Sequence, residues 1–404
     1  MLRSMNSAIS GLRAHQTKLD VTGNNIANVN TVGYKSSQTV FEDTLSQVVR
    51  NGSAPSAEAG GTNPAQVGLG VKVAGITTNF EQGATQNTGR STDFMISGDG
   101  FFVTQAGNER VYTRAGSFNY DAVGNLVTPD GAQLQGWMAE NGEVDTNGAI
   151  RTLTVPFGQV MPPARTTTGA VVGNLSSAAA DGTGVQTQIT VYDALGTAKQ
   201  VTIAFSKNAA DNTWDVRTSD GTTTQNSQIV FGTDPGQEGM PASGATYEFT
   251  PADGTWPDGI EIDLTALRQF GGPSSLAPAR VDGNAMGSLQ SISLSGDGTV
   301  MGVYSNNLRE PIGKIALATF ANPGGLAKAG NSSYRVGDNS GQPAIGEPGS
   351  GGRGSLIAGA LEMSNVDLAE EFTGLIVAQR GFQANSRVIS SSDEVLQDLV
   401  NLKR

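Results

Sequence analysis

Apolar residues recur at alternating three- and four-residue spacings at both ends of this chain, and the long stretch between them does not repeat the pattern. At the N-terminal end the stripe runs through Leu2, Met5, Ile9, Leu12, Leu19 and Ile26, with Gln16 and Gly23 in the remaining seats. At the C-terminal end it runs through Phe372, Leu375, Gln379, Phe382, Ser386, Ile389, Asp393, Leu396 and Val400, flanked by Leu368, Ile376, Val395, Leu399 and Leu402. Such spacing is the seam of a coiled coil. A C-terminal helix of about 35 residues spans roughly 50 Å at a rise of 1.5 Å per residue.

A long helix with a narrow apolar seam buries that seam only against a partner helix. The first candidate is the other terminus. Residues 1–30 carry Arg3, Arg13 and Lys18 against Asp20, whereas residues 363–404 carry six acids against four bases, so the ends attract weakly. An intrachain hairpin closing a globular domain satisfies the pattern. The polar seats Gln16, Gln379, Ser386 and Asp393 point further, because such residues weaken a seam within one chain but set register between subunits.

Composition narrows the classes. A formal charge of -12 and a pI near 4.6 oppose nucleic-acid binding, which needs a basic face. No apolar run reaches the roughly 18 residues of a membrane span, and residues 1–30 are amphipathic rather than continuously apolar, so neither membrane insertion nor a classical cleaved signal peptide is expected. Without cysteine there is no disulfide or thiol chemistry. The 54 glycines and 6% aromatic content point to many tight turns and short strands rather than to a compact enzyme.

Between the ends the pattern changes to turns and alternation. Asn24, Asn25, Asn28, Asn30 and Gly33 read as the end of the first helix. Residues 40–49 form a short amphipathic piece, and 52–64 an exposed loop rich in Gly, Ser, Ala and Pro. Turns such as Ser97-Gly98-Asp99-Gly100 and Pro129-Asp130-Gly131 separate strands at 94–96, 110–113 and 133–138, an antiparallel meander. Strands at 185–192, 200–206 and 213–217 follow, with Val185, Thr187, Ile189 and Val191 alternating, as do Val201, Ile203 and Phe205. A last block at 289–320 returns to the style of the first.

The chain therefore reads as α+β. Paired terminal helices form a coiled-coil-like inner domain from residues 1–30 and 363–404. Residues 31–74 and 355–362 connect it to a first β domain, 75–150 with 285–354, and residues 155–284 form a second β domain inserted into that one. Both β domains are expected to be antiparallel and barrel- or sandwich-like.

The enzyme motifs fail on context. Gly349, Gly351 and Gly354 satisfy G-x-G-x-x-G, but a Pro- and Gly-rich loop precedes them and no βαβ unit follows. His15, the sole histidine, lies on a seam helix and is assigned to packing or subunit contact rather than to a catalytic triad. Asp121, Asp130 and Asp297 sit beside glycines in turns without calcium-loop spacing. No catalytic residue, cofactor or metal is expected.

The segment LDVTGNNIANVNTVGYK, residues 19–35, resembles the N-terminal signature of the bacterial flagellar rod and hook axial proteins; Asn24, Asn25, Asn28, Asn30, Gly33, Tyr34 and Lys35 carry it. The stretch ISGDGFFV at 96–103, the stretch YTRAGSF at 112–118, and the C-terminal segment opening LEMSNVDLAEEFTGLIVAQRGFQANSRVI are similar to the same family. Length and the inserted block, with its YDALGT turn, resemble the hook branch. Residues 51–71, ending in TNPAQVGLGV, instead resemble a segment of distal rod subunits and suggest a stiffer tube.

The resemblance implies a structural subunit that polymerises with itself into a curved tube. That tube would carry motor torque to the filament and enclose an export channel. It also implies contacts with distal rod, hook cap and hook–filament junction proteins, export through the flagellar type III apparatus, and an extracellular location. A distal rod subunit is the alternative within the family. A secreted β-rich adhesin, or a carbohydrate hydrolase using paired carboxylates, are the readings from other classes, and both leave the terminal stripes without a role.

Overall fold

The computed structural model describes residues 2–401 except 53, 55–59, 141, 209, 211 and 234, and leaves the side chains of Leu2, Leu399 and Val400 undescribed. Leu402 lies outside the described residues, as do 53 and 55–59 of the 52–64 loop. Contacts divide the chain into two units, one of residues 1–155, 292–301 and 310–404, the other of 156–291 and 302–309. Among the described residues no sheet closes into a barrel.

The first unit holds two long helices, α1 at Leu2–Ala27 and α2 at Leu368–Asn401. Asp367 starts α2: its Oδ1 accepts the N–H of Ala369 at 2.8 Å, and Glu370 and Glu371 place negative charge in the first turn. The helices run antiparallel. Asn25 meets Glu371, a Cβ on Gly381 would lie 2.5 Å from the His15 ring, and one on Gly11 would lie 2.8 Å from Asn385 Nδ2.

The face that α1 buries is Ala8, Gly11, Ala14, Thr22 and Asn25, not the stripe read from hydrophobicity. Met5, Ile9, Leu12, Leu19 and Ile26 are half-buried beside it. On α2 the covered row is Glu371, Leu375, Ala378, Phe382, Asn385, Ile389, Ser392 and Leu396, while Phe372, Gln379, Ser386 and Asp393 are exposed. One line of the anticipated α2 seam is thus kept and the other is replaced by its neighbour. The reason is size: a glycine on one helix makes room for a larger side chain on the other, Gly11 for Asn385 and Gly381 for His15, and periodicity of apolar character does not register size.

A β-hairpin covers a further face of α1. Strand Ser37–Asp43 pairs with Val71–Thr78, and Ser46–Arg50 with Ala65–Gly68. Residues 40–49, read as a short amphipathic piece, fall on two strands that break at Thr44 and Leu45: their Val, Phe and Thr content favours a pleated surface. Ser10 Oγ accepts the Val71 N–H at 3.2 Å, and His15 stands edge-on to Phe41 with ring centroids 5.8 Å apart.

In the β part of this unit, Phe101–Ala106 is flanked by Glu109–Thr113 and Gln133–Glu140, and Gln133–Glu140 also pairs with Arg309–Ile315. The anticipated strands appear here, each extended by a residue or two. Phe101, Val103, Tyr112, Trp137, Ala316, Ala318 and Tyr334 share one core. Strands from the two sides of the sequence close the unit: Phe94–Ser97 pairs with Ser355–Ala358, and Thr85–Asn87 with Ala360–Glu362.

The second unit packs two sheets over one core of Val171, Ile189, Val201, Ile203, Phe205, Trp214, Phe249, Ile260 and Ile262. One sheet is the expected antiparallel meander of Gly184–Tyr192, Ala198–Lys207, Thr213–Ser219, Thr224–Phe231 and Pro241–Ser243. The other corrects the all-antiparallel expectation, because Thr168–Asn174 runs parallel to both Ile260–Asp263 and Leu267–Arg268. Alternation of buried residues is the same in either direction, so strand polarity is set by the connections.

The tight helix crossing yields a test. Gly381→Val should force the His15 ring out of place and lower the stability of the helix pair by about 1–3 kcal/mol, the range for overpacking. Thermal melts followed by helical circular dichroism check this against near-ultraviolet signals from Trp214 and Trp256 of the second unit, which should not move.

Candidate functional site

Where α1 ends, the chain must leave the helix, turn, and enter the β part beside the strand that leads back to α2. Gly33 makes this turn with φ +66°, and a Cβ there would lie 2.7 Å from the Arg114 carbonyl carbon. Its N–H donates to the Glu362 carbonyl at 2.8 Å, which ties the incoming segment to the outgoing one.

The next residues bury a charge cluster. Lys35 Nζ lies 2.6 Å from Glu362 Oε1, and the side chains of both are fully buried. The ammonium also donates to the Glu81 carbonyl at 2.6 Å. Glu362 Oε1 accepts the Gly83 N–H at 2.9 Å, and Oε2 faces Arg114 Nη1 at 3.4 Å. Arg114 donates in turn to the Gly98 carbonyl at 2.9 Å and lies over the Phe101 ring at 5.4 Å.

Burial pushes the Lys35 ammonium below the ordinary lysine range; the charge and hydrogen bond of Glu362 pull it back up, and Arg114 pushes it down. Burial likewise lowers Arg114, with Glu362 and then Asp99 acting against it. One carboxylate therefore serves two buried cations, one from the segment after α1 and one from the β part of the first unit.

The asparagines of the signature frame this cluster. Asn25, buried on α1, donates to the Ser37 carbonyl at 2.8 Å and to Glu371 Oε1 at 2.6 Å, and its Oδ1 accepts the Ser37 N–H at 3.0 Å. It thereby joins α1, the hairpin and the first turn of α2. The Tyr34 hydroxyl donates to Asn24 Oδ1 at 2.7 Å, and burial followed by the Glu371 charge raises its titration. Asn28 donates back to the Asn24 carbonyl at 2.9 Å and accepts from Thr31 at 3.0 Å, closing the helix end; Asn30 is exposed.

The structure thus gathers Asn24, Asn25, Asn28, Gly33, Tyr34 and Lys35 into one junction. Reading the sequence alone missed the groups that complete the junction, Arg114, Glu362, Asn365 and Glu371. Asn365 accepts the Ser36 N–H at 2.8 Å and donates to the Asn79 carbonyl at 2.9 Å. A signal existed for Glu362, a charged residue set between Leu361 and Met363 in a segment that otherwise reads as buried strand.

The helices carry a second feature. At 100° per residue, Leu368, Phe372 and Ile376 lie on one side of the α2 seam, and Val377, Val388 and Val395 on the other. All six are exposed, Phe372 by 50% and Ile376 by 56%.

Removing Lys35 leaves Glu362 buried with one cation at longer range, and breaking such a pair costs about 3–5 kcal/mol. Lys35→Met should therefore lower the unfolding free energy of the first unit, read from chemical denaturation, by that amount. Gly33→Ala should cost on the order of 2 kcal/mol, because a side chain in the left-handed region meets the Arg114 backbone.

Four family descriptions match this chain. Residues 5–35 match the flagella basal body rod protein family, and 357–402 the flagellar basal body rod FlgEFG protein C-terminal family. Residues 95–206 match the flagellar hook protein FlgE/F/G D1 domain, and 163–284 the flagellar basal body protein FlaE D2 domain. The flagellar hook protein FlgE of Borreliella burgdorferi is 39% identical, with 100% of both chains covered. FlgE of Salmonella typhimurium is 36% identical over 99% of this chain and 100% of its own. The flagellar basal-body rod protein FlgG of Bacillus subtilis is 35% identical with 100% of both covered. The crystal structure of the Helicobacter pylori flagellar hook protein FlgE2 shares the fold at a TM-score of 0.54 and 14% identity, covering 67% of this chain and 98% of that one. Similarity over the whole length, together with the junction that the signature residues build, means that this chain belongs to the flagellar hook and basal-body rod family.

Proposed function

We propose that this chain is the repeating subunit of the flagellar hook, a tube that carries motor torque to the filament and encloses the export channel. The observation that carries the reading is the state of α2. In a chain whose full-length relatives include hook proteins, a helix of 34 residues keeps exposed apolar residues on both sides of its seam. Burying each such side chain contributes about 1.5–3 kcal/mol, so neighbouring copies supply the missing cover. Leu2, Met5, Ile9, Leu12, Leu19 and Ile26 on α1, and Leu368, Phe372, Leu375, Gln379, Phe382, Ile389, Leu396 and Val400 on α2, are the proposed contact set, shared between helix pairing within one chain and assembly between copies.

In this reading residues 1–30 and 363–404 form the inner layer. Residues 31–74 and 355–362 connect it to a β domain of 75–150 and 285–354, and 155–284 make an outer domain. The junction around Lys35 and Glu362 fixes the layers of one subunit to each other. Bending then falls on contacts between subunits, where small polar side chains exchange water-mediated bonds at little cost. Distal rod, cap and junction proteins are the proposed end partners, and the flagellar type III apparatus the proposed exporter.

A distal rod subunit is the second reading. It is favoured by the rod relative in Bacillus subtilis, alike over its whole length, and by residues 51–71, whose described part belongs to the hairpin along α1. In a hook, that hairpin would stiffen the tube.

Phe372→Asp tests assembly apart from folding. Phe372 is half exposed in the single chain, so the monomer should melt within about 0.5 kcal/mol of the parent, yet form no tubes. Normal tubes would overturn the contact set. Removal of residues 171–284 should leave tubes that form but lack curvature, and a complete loss of polymerisation would count against the layered scheme. Gly221, in an exposed turn with open space around it, accepts a tag for electron microscopy of flagellar bases. Label on the curved segment outside the envelope supports the hook, and label on a straight segment within it supports the rod.

A further inference from the structure

We propose that His15 is a proton-operated latch, and that its protonation in mild acid releases α1 from α2 and from the strand Ser37–Asp43. His15 stands where all three elements meet. Its ring occupies the space that a side chain on Gly381 of α2 would need, with Cε1 and Nε2 each 2.5 Å from an added Cβ. On the opposite element Phe41 meets it edge-on, with the ring planes at 69°. Its Nδ1 is buried and, among the described residues, has no hydrogen-bond partner.

A neutral imidazole tolerates this place with Nδ1 unprotonated. An imidazolium carries N–H on both nitrogens, and a buried charged donor without an acceptor is costly. The surroundings offer no relief. On α1, Lys18 adds like charge. On α2, Gly381 is preceded by Arg380, and Asn385 is neutral. On the hairpin, Glu42 is engaged by Lys72 at 3.4 Å. Relief comes when the ring swings to water, and the ring is what fills the crossing at Gly381.

Burial, and then Lys18, place the folded-state titration of His15 below the ordinary histidine range. The unfolded chain then binds the proton more readily than the folded one. Helix pairing is fully stable above the ordinary histidine value of about 6.5 and weakens as pH falls from there to the depressed folded value, below which this group adds nothing more. Within that window the equilibrium shifts by at most tenfold per pH unit. Its consequence for tubes rests on the hook reading; the opening of the helix pair does not.

Because His15 is the sole histidine, the full-length protein labelled with ¹³C at histidine gives one ring signal. That signal should titrate with a midpoint below about 6.5. The helical melting temperature should fall over the same range in the parent and stay flat in His15→Gln and His15→Phe. A midpoint at or above the ordinary value, or an equal acid-induced fall in a folded variant, overturns the latch. Tube dissociation is scored separately on the same samples. Tubes that persist while the monomer's helices open would refute the link to assembly and leave the latch standing.

Discussion

A single carboxylate holds the inner and outer parts of the first unit together. Glu362 meets Lys35 from the segment that leaves α1 and Arg114 from the β part, and its own strand leads into α2. Three stretches far apart in sequence are thereby fixed at one point away from water, where an ion pair is strong and an unpaired charge is costly. Everything that radiates from the junction depends on its being satisfied: the helix end at Asn28, the turn at Gly33, the hairpin start at Ser37 and the first turn of α2 at Glu371.

From that fixed point the helices follow a different logic. Their crossing seats a larger side chain against each glycine, Asn385 over Gly11 and His15 over Gly381, with Ala8, Ala14 and Ala378 buried beside them. Leu375, Phe382, Ile389 and Leu396 are partly covered along the α2 row that faces α1, whereas Phe372, Ile376, Val377, Val388 and Val395 are left exposed at its flanks. A chain built in this way has a rigid joint at one end of its helices and unfilled demand for contact along them. Those properties suit a subunit that transmits force through itself and completes its inner layer with copies of itself.

Much of this was legible in the residues. The three-four spacing located both helices, and the Asn-rich tract located the end of the first, because backbone periodicity and left-handed turns leave compositional marks. Val201, Ile203 and Phe205 alternate in the sequence and are buried in the structure. Leu375, Phe382, Ile389 and Leu396 lie on the covered row as the spacing required. The motif of residues 19–35 pointed to the family before any geometry was known.

Other features had no local signature. Whether strand Thr168–Asn174 runs parallel or antiparallel to its neighbours is invisible in alternation. Which of two adjacent rows α2 turns towards α1 was decided by the size of the facing residues rather than by their polarity. The partners of Lys35 lie 46 and 327 positions away, at the Glu81 carbonyl and Glu362, and only the closed fold brings them within reach. Local spacing along the backbone is thus what this sequence determined by itself: two helices, many short strands and the turns between them. The tertiary structure decided strand direction, the helix face that is covered and the buried charge cluster, because each depends on groups that meet only after distant segments have packed.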